Sequence, residues 1–155
     1  MMFRTHIAFS VLIGLASLEF FNIENHFLYF AFVILSSMVA DIDIPNSKLG
    51  SKIKPISWLI EKLLGHRGIL HSFYPIIFFY ILFFYIVNLP LVGLAVIIGY
   101  SSHVFLDLFN KKGITLFPPF KISFIRGFIR TGGILEYVIF IALIIVDIIV
   151  MGWYV

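Results

Sequence analysis

The chain has 155 residues, 61% apolar and only 12% charged, with a formal charge of +3 and no cysteine. Typical globular domains carry about 25% charged residues, so a chain this poor in charge cannot cover a water-facing surface, and lipid is the expected solvent. The missing cysteines exclude disulfides, thiolate nucleophiles and Cys-ligated metals. No basic run interleaved with aromatics points to nucleic acid.

Five apolar segments follow one another: about His6 to Phe21, Phe27 to Ala40, Ile69 to Val87, Leu91 to Phe109 and Ile134 to Trp153. A spanning helix needs roughly 17–25 apolar residues, which the last three segments supply. The first two are short and would tilt, thin the bilayer or lean on neighbours. Read as a signal peptide, the first segment has Arg4 ahead of it, but Glu19 interrupts its end and no small-residue cleavage site follows. The expected fold is all-α: one domain over residues 1–155, a polytopic bundle of about five transmembrane helices with a short interfacial helix.

The connections differ in charge. Residues 22–26 and the turn at Asn88-Leu89-Pro90 carry no Lys or Arg, whereas residues 41–68 and 110–132, with Arg4, carry all of them. With five spans these basic segments share one side, which the positive-inside rule assigns to the cytoplasm. The chain thus reads as a multi-pass protein of the cell membrane with a cytoplasmic N-terminus. In the first long loop, residues 56–65 (ISWLIEKLLG) place apolar residues at helical spacing opposite Glu61 and Lys62. That segment reads as a helix in the interface ended by Gly65. In the second, Lys121, Arg126 and Arg130 among aromatics read as contacts to anionic headgroups or as ordinary positive-inside anchors.

The ionisable residues gather on the same side. His6 begins the first span, Asp41 and Asp43 end the second, and His66 and His71 open the third. His103 and Asp107 close the fourth and Glu136 opens the fifth. His103 and Asp107, four residues apart on a helix, are neighbours able to hold one ion. His66 and His71 would diverge by about 140° on one helix, so Gly65 and Gly68 are expected to break it and fold His66 back over the site. Pro45 disfavours helix at Ile44, which leaves Asp41 and Asp43 expected as an extended pair offering two oxygen donors. Each residue alone has a bland reading as a helix-end polar group. Four histidines and four carboxylates converging on one face read instead as a metal site, for one or two divalent ions. Glu19 and Asp147, toward the opposite ends of their spans, are expected to pair or snorkel.

The TH at residues 5–6, ADIDIP at 40–45, HRGILHS at 66–72 and the pattern G-x3-H-x3-D-x2-N-x2-G-x4-P from Gly99 to Pro118 resemble the membrane-bound, metal-dependent hydrolases of the YdjM-like group, an inner-membrane family of bacteria and archaea. That group is distantly similar to the zinc-dependent phospholipases C and P1-type nucleases, helical enzymes that cleave phosphoesters at two or three metals. The resemblance implies a divalent metal, Zn²⁺ or Mn²⁺, held by His6, Asp41, His66, His71, His103 and Asp107, with Asp43 an outlying member. It implies that Arg67 is the motif's arginine. The H-x3-E pair that closes the soluble phospholipase pattern is missing, and only Glu136 stands in that region.

These parts would make a metal-dependent phosphoesterase at the cytoplasmic headgroup level. Arg67 would hold the phosphate of a phospholipid or isoprenoid phosphate, and Glu136 or Asp43 would act as base or orienting group. Two other classes compete: a non-catalytic scaffold whose metal staples short helices together, and a divalent-ion transporter. Transport sites usually lie near the midplane between internal repeats, neither of which is visible in this sequence.

Overall fold

The computed structural model describes residues 1–64, 68–120 and 123–154. Within them lie six α-helices: α1 (Phe3–Ser17), α2 (His26–Val39), α3 (Lys54–Leu64), α4 (Tyr74–Ile81), α5 (Pro90–Asp107) and α6 (Ile134–Met151). All five apolar segments become helix. Three stretches are long and apolar enough to cross a membrane: His26–Asp43, which is α2 with its 3₁₀ extension, α5 and α6. Phe3–Ser17 and Tyr74–Ile86 are shorter apolar helices.

Local chemistry sets the helix starts. The Asn25 side chain accepts from Leu28 N at 2.9 Å and caps α2. Pro75 and Pro90 stand at the first turns of α4 and α5, where a missing N–H breaks no helical bond. Between α4 and α5 a π-helical turn, Leu82–Ile86, runs into Asn88 at φ 55°. Asparagine enters that left-handed region more readily than most residues.

α2, α1 and α5 form the centre, with α6 laid on α1 and α4 on α5. Gly99 faces the backbone of Val33 and the Ser36 hydroxyl so closely that a Cβ would collide with both. Small residues let membrane helices approach in this way, and the approach draws the last two turns of α5 against the end of α2. Tyr29, Val33 and Ala95 form the apolar core of that contact. Ser10 Oγ on α1 reaches Ser37 Oγ on α2 at 3.4 Å, and Ser17 Oγ meets Tyr29 OH at 2.6 Å. α6 buries Glu136, Leu143 and Asp147, one stripe at helical spacing, and leaves the apolar Ile141, Ile145 and Ile148 exposed. A helix apolar beyond its packed stripe is built for lipid.

Several expectations need correction. The third apolar segment does not become helix at Ile69: residues Ile69–His71 form a 3₁₀ turn and α4 begins at Tyr74. Ser72 Oγ donates to Ile69 O at 2.5 Å and accepts from Tyr74 N at 3.2 Å, and Phe73 N bonds to Leu116 O at 3.1 Å. These bonds divert the backbone from an α-helix. Asp41 and Asp43 are not extended; they lie in a 3₁₀ turn, Ala40–Asp43, that prolongs α2. Ile44 is the extended residue, at φ −109° and ψ 100°, so the effect of Pro45 reaches one residue back and no further.

The segment expected as an interfacial helix is α3, with Ile56, Leu59 and Leu63 exposed at helical spacing and Lys62 Nζ 5.1 Å from the Trp58 ring. Gly65, expected to end it, lies outside the described residues. In the second long loop an unforeseen hairpin pairs β1 (Ile114–Thr115) with β2 (Phe124–Ile125) in antiparallel register. Glu19 does not need Asp147: its Oε1 accepts from Tyr154 OH at 2.6 Å.

Candidate metal centre

The start of α1, the end of α2, the turn before α4, the end of α5 and the start of α6 meet at one end of the bundle. Each brings an ionisable residue. His71, His103, Asp43, Asp107 and Glu136 are fully buried, His6 is nearly so, and Asp41 keeps 14% of its side chain exposed.

Two histidines aim at the same pair of carboxylates. His71 Nε2 lies 3.6 Å from both Asp41 Oδ1 and Asp107 Oδ2. His103 Nε2 lies 3.7 Å and 4.0 Å from the same two oxygens. His6 stacks on the His103 ring at 3.8 Å and places its Nε2 3.5 Å from Asp107 Oδ1. His6, His103 and Asp107 form one group able to hold an ion, and Asp41, His71 and His103 form another.

His103 Nδ1 lies 2.6 Å from the Ser37 carbonyl oxygen. A carbonyl can only accept, so Nδ1 carries the hydrogen and Nε2 keeps its lone pair for the cluster. That is the usual outer contact of a metal-ligating histidine. Asp43 Oδ2 stands 3.5 Å from His71 Nδ1 and is placed to do the same for His71. Outside the spanning helices, burial pulls the His71 imidazolium down, but the Asp41 and Asp43 carboxylates outweigh it and raise His71 to about 9.

The donor set fits a divalent metal. His6 Nε2, His71 Nε2 and His103 Nε2 are buried without a hydrogen-bond partner among the described residues, although buried polar atoms ordinarily have one. The separations of 3.5–4.0 Å are too long for hydrogen bonds. They are close to the roughly 3.4 Å between ligand atoms about 2.1 Å from a tetrahedral zinc. Both groups draw on His103 Nε2, so the described donors assemble a single centre.

Of the residues singled out from sequence, the structure therefore brings together His6, Asp41, His71, His103 and Asp107, with Asp43 against His71. His66 and Arg67 lie outside the described residues. Glu136 accepts from Met2 N at 2.5 Å and from Gly132 N at 2.7 Å, so one oxygen holds the backbone at the start of α1 and the other the turn that leads into α6. The amino group of Met1 donates to Asp107 Oδ1 at 2.8 Å.

Three contributors escaped the sequence reading. The Ser37 carbonyl has no side-chain signal. Tyr100 OH donates to Leu70 O and ties α5 to the turn that carries His71. Asn110 stands in the motif quoted above without an assigned role; it is fully buried and its Nδ2 reaches Asp107 Oδ1 at 3.4 Å and Thr131 Oγ1 at 3.2 Å.

Comparison with known proteins adds family and relatives. The family model described as YdjM inner membrane protein matches residues 1–154. The inner membrane protein YdjM of Escherichia coli K12 is 34% identical over 96 residues, 59% of this chain and 49% of that protein, and its Shigella flexneri counterpart gives the same figures. The uncharacterized protein YvsG of Bacillus subtilis is 30% identical over 108 residues, 68% of this chain and 66% of that protein. The match spans about half the length of the two YdjM proteins. No solved structure matches.

Proposed function

Because the chain belongs to the YdjM inner membrane protein family, we propose that it is a multi-pass inner-membrane hydrolase that depends on a divalent metal. Its substrate would be the phosphoester of a lipid, a phospholipid or isoprenoid phosphate, reached from the cytoplasmic face. The observation that carries this reading is the pair of imidazole nitrogens, on His71 and His103, turned toward the same two buried carboxylates. The five-span topology and cytoplasmic N-terminus rest on the one-sided distribution of Lys and Arg.

His6, Asp41, His71, His103 and Asp107 would hold a Zn²⁺ or Mn²⁺ ion, which when bound would supply Lewis-acid and water-activating chemistry. A second ion would draw on His66. The protein's own groups orient the donors: Ser37 O fixes the His103 tautomer and Asp43 steadies His71. Arg67, beside His66 in the motif, is the candidate to hold a phosphoryl group through its planar fork. Glu136 ties the start of α1 to the turn before α6 by accepting from Met2 N and from Gly132 N.

The test is a screen for phosphorylated headgroup release from lipid substrates by metal-replete protein. Release by the wild-type chain and its loss in Asp107→Asn support the hydrolase. Undiminished release by Asp107→Asn refutes it. Bound metal without release of any headgroup, combined with unfolding on chelation, identifies the metal-stapled scaffold instead.

A further inference from the structure

A second polar feature lies beside the donor cluster and belongs to none of its ligand groups. A cleft of about 580 Å³ opens between the turn after α5 and the segment leading to α6, lined by Asn110, Lys111, Lys112, Arg126, Arg130 and Thr131. Four of these six are cations and none is acidic. No Asp or Glu among the described residues forms an ion pair with any of the four. Four like charges around one cleft repel one another, so the arrangement calls for an anion.

The cleft is a built surface. Lys111 N donates to Ile129 O at 2.8 Å, Gly127 N to Asn110 O at 3.1 Å and Ile129 N to Phe109 O at 2.9 Å. These bonds lock its two walls together. Arg126 Nε donates to Lys111 O at 2.8 Å, which fixes the plane of the guanidinium and leaves its terminal nitrogens as a fork. Asn110 forms the floor, its Oδ1 accepting from Lys112 N at 3.0 Å and its Nδ2 donating to Thr131 Oγ1 at 3.2 Å. Thr131 Oγ1 is thus an acceptor toward the floor, and its hydroxyl hydrogen is available to a ligand. Two ammoniums, two guanidiniums and a hydroxyl donor match the oxygens of a phosphate.

We propose that this cleft binds a phosphate group, as the headgroup of an anionic phospholipid or as the free ion. The inference concerns binding alone and stands whether or not the donor cluster holds a metal or turns over a substrate. The buried Asn110, 3.4 Å from Asp107 Oδ1, places the bound phosphate one side chain away from that cluster.

The test uses the full chain with Lys112→Gln/Arg130→Gln, a pair whose side chains make no hydrogen bond among the described residues. Lys52→Gln/Lys62→Gln serves as a control that removes the same charge from the first loop. Retention of phosphatidylglycerol against phosphatidylcholine is measured by native mass spectrometry, and binding of inorganic phosphate by calorimetry. We expect wild-type protein to prefer phosphatidylglycerol, the cleft variant to lose about tenfold or more of that binding, and the control to change far less. Inorganic phosphate that binds and displaces the lipid identifies the phosphate as sufficient. Lipid binding without phosphate binding identifies the headgroup of a lipid as the ligand. Equal retention of the two lipids with no phosphate binding overturns the proposal. So does an unchanged cleft variant, or an equal loss in the control.

Discussion

His103 donates its Nδ1 hydrogen to the carbonyl oxygen of Ser37 across 2.6 Å, so a backbone atom of α2 decides which nitrogen of an α5 histidine is open to the cluster. The contact exists because α5 lies close to α2 at Gly99. Packing in the bundle and chemistry at its end are therefore one problem.

Gly99→Ala tests that link. The new methyl would strike Val33 O and Ser36 Oγ, and overpacking of this kind costs about 1–3 kcal/mol. The expected outcome is a lower thermal midpoint with weakened metal affinity, although no ligand has changed. Metal affinity equal to wild type would separate the centre from the helix contact.

The pH dependence has a definite sign. In metal-free protein His71 is raised to about 9, above its ordinary value near 6.5. Its contribution to stability is therefore complete below about pH 6.5 and is lost as pH rises through about 9. Metal binding needs the neutral imidazole and must displace that proton. Metal affinity is accordingly expected to climb from pH 6.5 toward 9 while the stability of the metal-free protein falls over the same window. Competition titrations with a chelating dye and parallel melting curves measure the two slopes.

Glu136→Gln separates support from ligation. A glutamine keeps one acceptor for Met2 N or Gly132 N and turns an amide donor toward the other. An unsatisfied buried group costs about 1–3 kcal/mol. Stability should fall by that order while metal content stays at the wild-type level. Loss of metal with unchanged stability would put Glu136 among the ligands.

Topology is open to direct labelling, because the chain contains no cysteine. Single cysteines replacing Lys52 or Lys112 should react with an impermeant maleimide only when the cytoplasmic face is exposed. Cysteines replacing Asn22 or Asn88 should react in intact cells. The reverse pattern would invert the orientation.

Much of this was legible in the residues. Apolar run length located α1, α2, α4, α5 and α6, because a long apolar run favours a helix that satisfies its own backbone. His6, Asp41, His71, His103 and Asp107 could be grouped by counting which helix ends share a side. What could not be read was local and set by hydrogen bonds between distant segments. Ser72 and Leu116 stop the third apolar segment from forming helix before Tyr74. The 3₁₀ extension through Asp43 is closed on Asp41 O, which accepts from Ile44 N at 3.1 Å and from Ser47 Oγ at 2.9 Å, bonds that Pro45 does not announce. The hairpin strands are two residues each, too short for any alternation to announce them. The basic cleft was visible only as scattered charge until the backbone bonds joining residues 109–111 to 127–129 brought its walls together.

The central claim is that the buried histidines and aspartates at one end of the bundle are a metal centre. Elemental analysis of the purified wild-type chain and of Asp107→Asn tests it most directly. The account predicts at least one divalent ion per wild-type chain and a loss of that ion in Asp107→Asn. A wild-type chain without stoichiometric metal, or an Asp107→Asn chain that keeps it, would contradict it.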